Sequence, residues 1–109
     1  MSAVSISKTF SASTKKLSTP DRGRVLDFLT KFMEDPGSPG LNFETIQGAK
    51  DGSMKSARIT QDLRTILHQG DGMLTLLYAG HHEDAYRWAG HRRIENHPVT
   101  GTLQIVETA

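Results

Sequence analysis

The hydrophobic period of this chain changes once, across DPGSPG at residues 35 to 40. Before that segment Val25, Phe28, Leu29, Phe32 and Met33 recur at the i, i+3, i+4, i+7, i+8 spacing of a helix with one buried face. Thr19 is the expected N-cap. Pro20 suits the first helical position, where its missing N–H is not needed, and Asp21 meets the positive end of the helix dipole. Upstream, KTFSASTKKL predicts a short first helix with Phe10, Thr14 and Leu17 on one thin stripe. After the Pro/Gly segment come LNFETI (41 to 46), SMKSARIT (53 to 60), LRTILHQ (63 to 69) and MLTLLYAG (73 to 80), short aliphatic or β-branched segments bounded by turn residues. GAKDG and GDG punctuate them, and GDG predicts a tight hairpin between the last two. The fold class is therefore α+β. Two N-terminal helices pack on one face of a curved, mainly antiparallel sheet of about four strands, followed by a C-terminal helix.

A chain of 109 residues is one domain with one core. It has no cysteine, so no disulfide, thiolate metal site or cysteine nucleophile can form. No apolar run approaches the ~20 residues of a membrane span, and MSAVSISKTFSAS lacks the basic-then-apolar order of a secretory signal. Cytoplasmic residence, with no membrane association, is the expectation. Net charge is +1, but its distribution is uneven. Residues 1 to 33 hold six Lys/Arg against two acids, and Arg87, Arg92 and Arg93 follow with no acid among residues 87 to 93. Local basic faces of this kind suit phosphate chains, and equally suit an ordinary solvated surface.

GHHEDAYRWAGHRR, residues 80 to 93, holds three of the five histidines, the only tryptophan and one of two tyrosines. A helical two-histidine metal site needs ligands three or four apart. His81, His82 and His91 are one, nine and ten apart, so neither metal nor other cofactor is expected. With acids at 83 and 84 and arginines at 92 and 93, the segment has the charge order of a helix running to residue 93. At ~100° per residue Ala85, Trp88, Ala89 and Arg92 share one direction, which makes Trp88 the expected core anchor. His82 and Tyr86 are i, i+4 partners, placing an imidazole beside a phenol. Beside an arginine, such a pair can exchange protons near neutral pH while guanidinium holds phosphorane charge. The plain alternative packs Tyr86 on the sheet edge with His82 as a cap.

Two strand arginines add to this. Arg58 alternates with Ala57 and Ile59, and Arg64 and His68 stand opposite Leu63 and Leu67. If the apolar sides face the helices, Arg58, Arg64 and His68 emerge on an open face, in outline a phosphate site. The alternative is scattered surface arginines paired with Asp62 or Glu44. The tail IENHPVTGTLQIVETA adds a Pro/Gly turn and a short strand, TLQIVE.

The two-helix start, DPxxPGL, SARITQDLRTIL and LLYAGHHEDAY together resemble the RelE/ParE toxin superfamily over residues 4 to 93. HHEDAYRWAGHRRIENHPVTGTLQIVE is similar to a RelE-like module ahead of UvrD-like helicase regions in some bacterial proteins. The resemblance implies a RelE-like domain at 1–93 and a tail or linker at 94–109. It implies strand cations and a C-terminal tyrosine or histidine that cut mRNA. By position Arg64 resembles the strand arginine, Tyr86 the tyrosine, and His81 or His82 the basic group before it. Lys55 or Arg58 could fill the strand base position, and a small residue, Ser56 or Ala57, stands where a second basic one is expected. Arg64, His81, His82 and Tyr86 are thus the implied catalytic set. Lys55, Arg58, Arg64, His68, Arg87 and Arg93 are the nucleic-acid contacts. Three functions follow: a nucleic-acid-binding module attached to a helicase, a metal-independent endoribonuclease paired with an antitoxin, or a ParE-like inhibitor acting by protein contact. The target could be RNA or DNA.

Overall fold

The computed structural model describes residues 3–35, 43–46, 52–70, 72–96 and 98–107. The chain opens with a strand, β1 (Ala3–Ile6), and turns at Ser7 into α1 (Lys8–Lys15). The Phe10 N–H donates to the Ser7 hydroxyl at 3.2 Å, capping α1. α2 (Thr19–Glu34) is capped by Ser18 rather than by Thr19, with the Asp21 N–H donating to the Ser18 hydroxyl at 3.3 Å and Pro20 in the first turn. Strands β2 (Phe43–Thr45), β3 (Met54–Arg58), β4 (Leu63–Gly70) and β5 (Met73–His81) follow, then α3 (His82–Gly90) and the hairpin β6 (Arg92–Asn96) and β7 (Leu103–Glu107). Most of DPGSPG and of GAKDG lies outside the described residues.

The main sheet has five strands, in the order β1-β5-β4-β3-β2, where the sequence predicts about four. All neighbours are antiparallel except β1 and β5, which run parallel with Ala3 opposite Met73. A parallel partner needs a long crossover rather than a turn, so no local punctuation marks β1. The β4–β5 hairpin brings Gly70 opposite Met73. Gly72 in its turn has φ 69°, a conformation glycine adopts without strain. In the same pair Ile66 faces Tyr78 but Leu67 faces Leu76, so Leu77 is an extra residue, a bulge. Leu76 and Ala79 therefore join one core while Leu77 and Tyr78 both pack into the other.

The first core unites Phe10 of α1, Val25, Phe28 and Phe32 of α2, and Ala57, Leu63, Leu67, Leu74, Leu76 and Ala79 of the sheet. The Phe32 ring lies 5.6 Å from Phe28 and 6.2 Å from Phe43, centroid to centroid. Where the length of the chain suggests a single core, a second lies on the opposite face of the sheet: it unites Met54, Ile66 and Leu77 with Ala85 and Ala89 of α3, and Ile94 and Ile105 of the hairpin pack against it. The α3 helix stops at Gly90, short of residue 93. His91 leaves helical geometry, and its N–H donates to the Trp88 carbonyl at 3.3 Å. Arg92 and Arg93 consequently lie in β6, and residue 93, where the sequence suggests a domain boundary, falls inside that strand. Trp88 is half-buried rather than an anchor; Ala85 and Ala89 are the fully buried residues of α3. Among the described residues no helix is long and apolar enough to cross a membrane.

Candidate nucleic-acid interface

The β3–β4 turn and the start of α3 meet at one end of the sheet. Arg58 closes β3 and faces Arg64 directly across the strand pair. Opposed like charges destabilise a sheet, and here one of the two is buried while the other is exposed. Arg64 is buried, and its Nη1 donates to the carbonyls of Thr60, Gln61 and Leu63 at 2.7, 2.9 and 3.1 Å. Three backbone dipoles thus offset its charge and brace the turn. Arg58 is exposed and has no hydrogen-bond or ion-pair partner among the described residues.

The backbone ties α3 to the same turn, the His82 N–H donating to the Asp62 carbonyl at 2.8 Å. From there the His82 ring lies on the Tyr86 ring, centroids 4.3 Å apart, as the i, i+4 spacing predicts. The Tyr86 hydroxyl in turn lies 3.2 Å from the Ser56 hydroxyl on β3. Ser56 and Arg58 are two apart on one strand and share its face. An exposed guanidinium, a hydroxyl pair and an exposed imidazole therefore sit around one short strand segment. Ser56 is the member that residue-type reasoning passes over. The sequence marks it only as a small residue where a cation is expected.

The other predicted site residues lie elsewhere. His81 stands opposite Leu63, its Nε2 3.4 Å from Asp21 on α2, so the two adjacent histidines part to opposite faces. Lys55 is opposite Leu67, on the face of the first core. His68 shares the face of Arg64 but does not emerge. It lines a cleft with Met73, Ile94 and Leu103, and its Nδ1 is buried without a hydrogen-bond partner. Arg87 is 3.4 Å from Asp84, and Arg93 is 2.6 Å from Glu95 on β6.

On the far flank of α3, Trp88 stacks on Tyr78 at 5.1 Å, and the Arg92 guanidinium lies 4.7 Å from the indole centroid. The Tyr78 ring lies over Gly80, where a Cβ would come within 2.8 Å of the tyrosine Cε2. Burial pushes the Tyr78 hydroxyl above its usual pKa of 10.0. The Asp84 carboxylate adds to this, and Arg92 and Arg87 oppose it. Among the described residues no three His, Asp or Glu side chains gather as a metal site.

No protein-family model and no curated protein matches the sequence. Solved structures match the fold. YafQ from E. coli strain BL21(DE3) superposes with a TM-score of 0.59 at 16% identity, covering 77% of this chain and 97% of YafQ. The RelB–RelE antitoxin–toxin complex from Methanococcus jannaschii gives 0.59 at 14% identity, covering 77% and 96%. The toxin–antitoxin complex RelBE2 of Mycobacterium tuberculosis gives 0.55 at 17% identity, covering 73% and 96%. The chain has the fold of these toxin structures. Attachment to a helicase, and a nucleic-acid target of either kind, find no support in the fold match alone.

Proposed function

We propose that the chain is the toxin of a toxin–antitoxin pair and that it cuts RNA at the β3–β4 end of its sheet. The observation that carries this is the exposed, unpaired Arg58 beside the Ser56–Tyr86–His82 cluster. The fold shared with structures of YafQ and of RelE in complex with RelB supports it.

The chemistry balances within the chain's own groups. The His82 imidazole takes the proton of a ribose 2′-OH, and that oxygen attacks the adjacent phosphorus. Arg58 holds the charge that develops on the phosphorane oxygens. The bond from phosphorus to the 5′-oxygen breaks, Tyr86 gives its hydroxyl proton to the departing oxygen, and a 2′,3′-cyclic phosphate remains; the proton held by His82 then returns to the Tyr86 oxygen through solvent, restoring both groups. Ser56 holds the Tyr86 hydroxyl in place, and Arg64 keeps the turn that carries Arg58. The partner is then an antitoxin that covers this end or restrains it.

Inducible expression in a bacterium, with growth and mRNA integrity followed together, tests the reading. The expected result is growth arrest with fragmented mRNA, relieved by Arg58→Ala and by Tyr86→Phe. Growth arrest with intact mRNA would overturn it and favour an inhibitor that acts by protein contact.

A further inference from the structure

The two edges of the sheet are not alike. β2 is three residues long and carries Glu44, whereas β1 (Ala3–Ile6) has no charge, proline or bulge to guard it. Natural edge strands usually carry such guards, because an open row of N–H and C=O groups recruits another strand. The Ala3 N–H donates to the Gly72 carbonyl at 2.9 Å and the Ser7 N–H to the Leu76 carbonyl at 3.0 Å. In a parallel pair alternate residues face the partner, so the backbone groups of Val4 and Ile6 point away from the sheet. Nothing among the described residues pairs with them.

The side chains beside that edge have one sign. Ile6 stands opposite Leu76, on the α1 face, and is 42% exposed. With Ser11 and Ala12 of α1 it lines a groove into which Lys8, Lys15 and Lys16 also open. None of the three ammonium groups has an ion-pair partner among the described residues.

We infer that the β1 edge and the α1 flank form a docking surface for an extended, carboxylate-bearing segment of a partner protein, added to the sheet as a sixth strand. Backbone pairing to Val4 and Ile6 would supply the attachment, and alternate side chains would fall over Ile6 and the lysines. Carboxylates at every second position stand about 7 Å apart on that face, and Lys8 and Lys15 stand about 10 Å apart along α1. A second copy of this chain would bring three more lysines to the groove, which repulsion disfavours; an acidic segment neutralises them. The surface is independent of the RNA-cutting reading and stands if that reading fails.

The test uses the full chain and a labelled, end-capped octapeptide of alternating Glu and Val, beside its Lys-for-Glu counterpart. Fluorescence anisotropy should show the Glu peptide binding at least tenfold tighter. Amide exchange should show Val4 and Ile6 gaining protection on binding. Ile6→Pro removes an outward N–H, a place where an edge strand tolerates proline, and should weaken binding tenfold or more with an unchanged melting temperature. Should that variant fail to fold, Lys8→Glu/Lys15→Glu/Lys16→Glu decides, with the same loss expected. Equal affinity for both peptides, or unaltered exchange at Val4 and Ile6, would overturn the inference. So would concentration-dependent dimerisation that Ile6→Pro abolishes, since it would assign the edge to a second copy.

Discussion

Arg58 and Arg64 face each other across one strand pair, yet their substitution should fail in different ways. Arg64→Ala removes three charge-assisted hydrogen bonds to the turn and should cost ~1.5–3 kcal/mol of stability, read as a shift of the denaturant midpoint. Arg58→Ala touches no partner and should stay within about 0.5 kcal/mol of the parent. It should still weaken RNA binding and reduce the salt slope by one contact's share. Tyr86→Phe deletes only the hydroxyl, so binding should persist while cleavage disappears in a single-turnover assay. Tyr78 offers a pH test away from the site. Its native pKa is raised by burial and by Asp84, so the folded state holds that proton more tightly than the unfolded one. Stability from this group is complete below about pH 10 and falls as the pH climbs from there toward the native value. Denaturation midpoints across that range should fall less steeply in Tyr78→Phe. Sequence alone placed the imidazole beside the phenol, because i, i+4 spacing does so in any helix. It left His81 and His82 open, because only the fold brings Asp21 of α2 to His81.

α3 lies on the sheet because Ala85 and Ala89 have no bulk to hold it off. Ala89→Leu should lift it, costing ~1–3 kcal/mol through overpacking. The same change should separate Tyr86 from Ser56, so cleavage should fall along with the melting temperature. Phe32, fully buried against Phe28 and Phe43, anchors α2; Phe32→Ala should cost ~3–5 kcal/mol in an equilibrium unfolding measurement. Val25, Phe28 and Phe32 of α2 and the GDG turn are legible because their signals are local, a 3.6-residue stripe and a glycine able to take positive φ; Met33, at the end of the same stripe, is exposed instead. β1 was not, since its pairing to β5 is parallel and remote in sequence. The end of α3 differs from the sequence expectation for a related reason. Arg92 and Arg93 have the charge expected of a last helical turn, but the ladder between β6 and β7 claims them for a strand. The face expected to be open is largely covered by α3 and the hairpin, leaving only the end beside the β3–β4 turn.

At the scale of the whole molecule, the sheet separates two surfaces. The end where Arg58, Ser56, Tyr86 and His82 gather lies toward the β3 side, whereas the lysines of α1 lie beside β1, at the opposite edge. A partner could therefore hold the chain at one edge while RNA meets the other, and the mRNA assay and the peptide assay should respond to different substitutions. Most of the layout followed from alternating patterns in the chain; which arginine remains free did not, because that depends on where three turn carbonyls point. Internal attack of a 2′-OH beside this free arginine is the proposed route of RNA cleavage. Its most direct test is end-group analysis of RNA incubated with the purified chain in the presence of a metal chelator. Fragments with 2′,3′-cyclic phosphate and 5′-hydroxyl ends are expected, absent with Tyr86→Phe. Uncut RNA, or fragments ending in 5′-phosphate and 3′-hydroxyl, would contradict it.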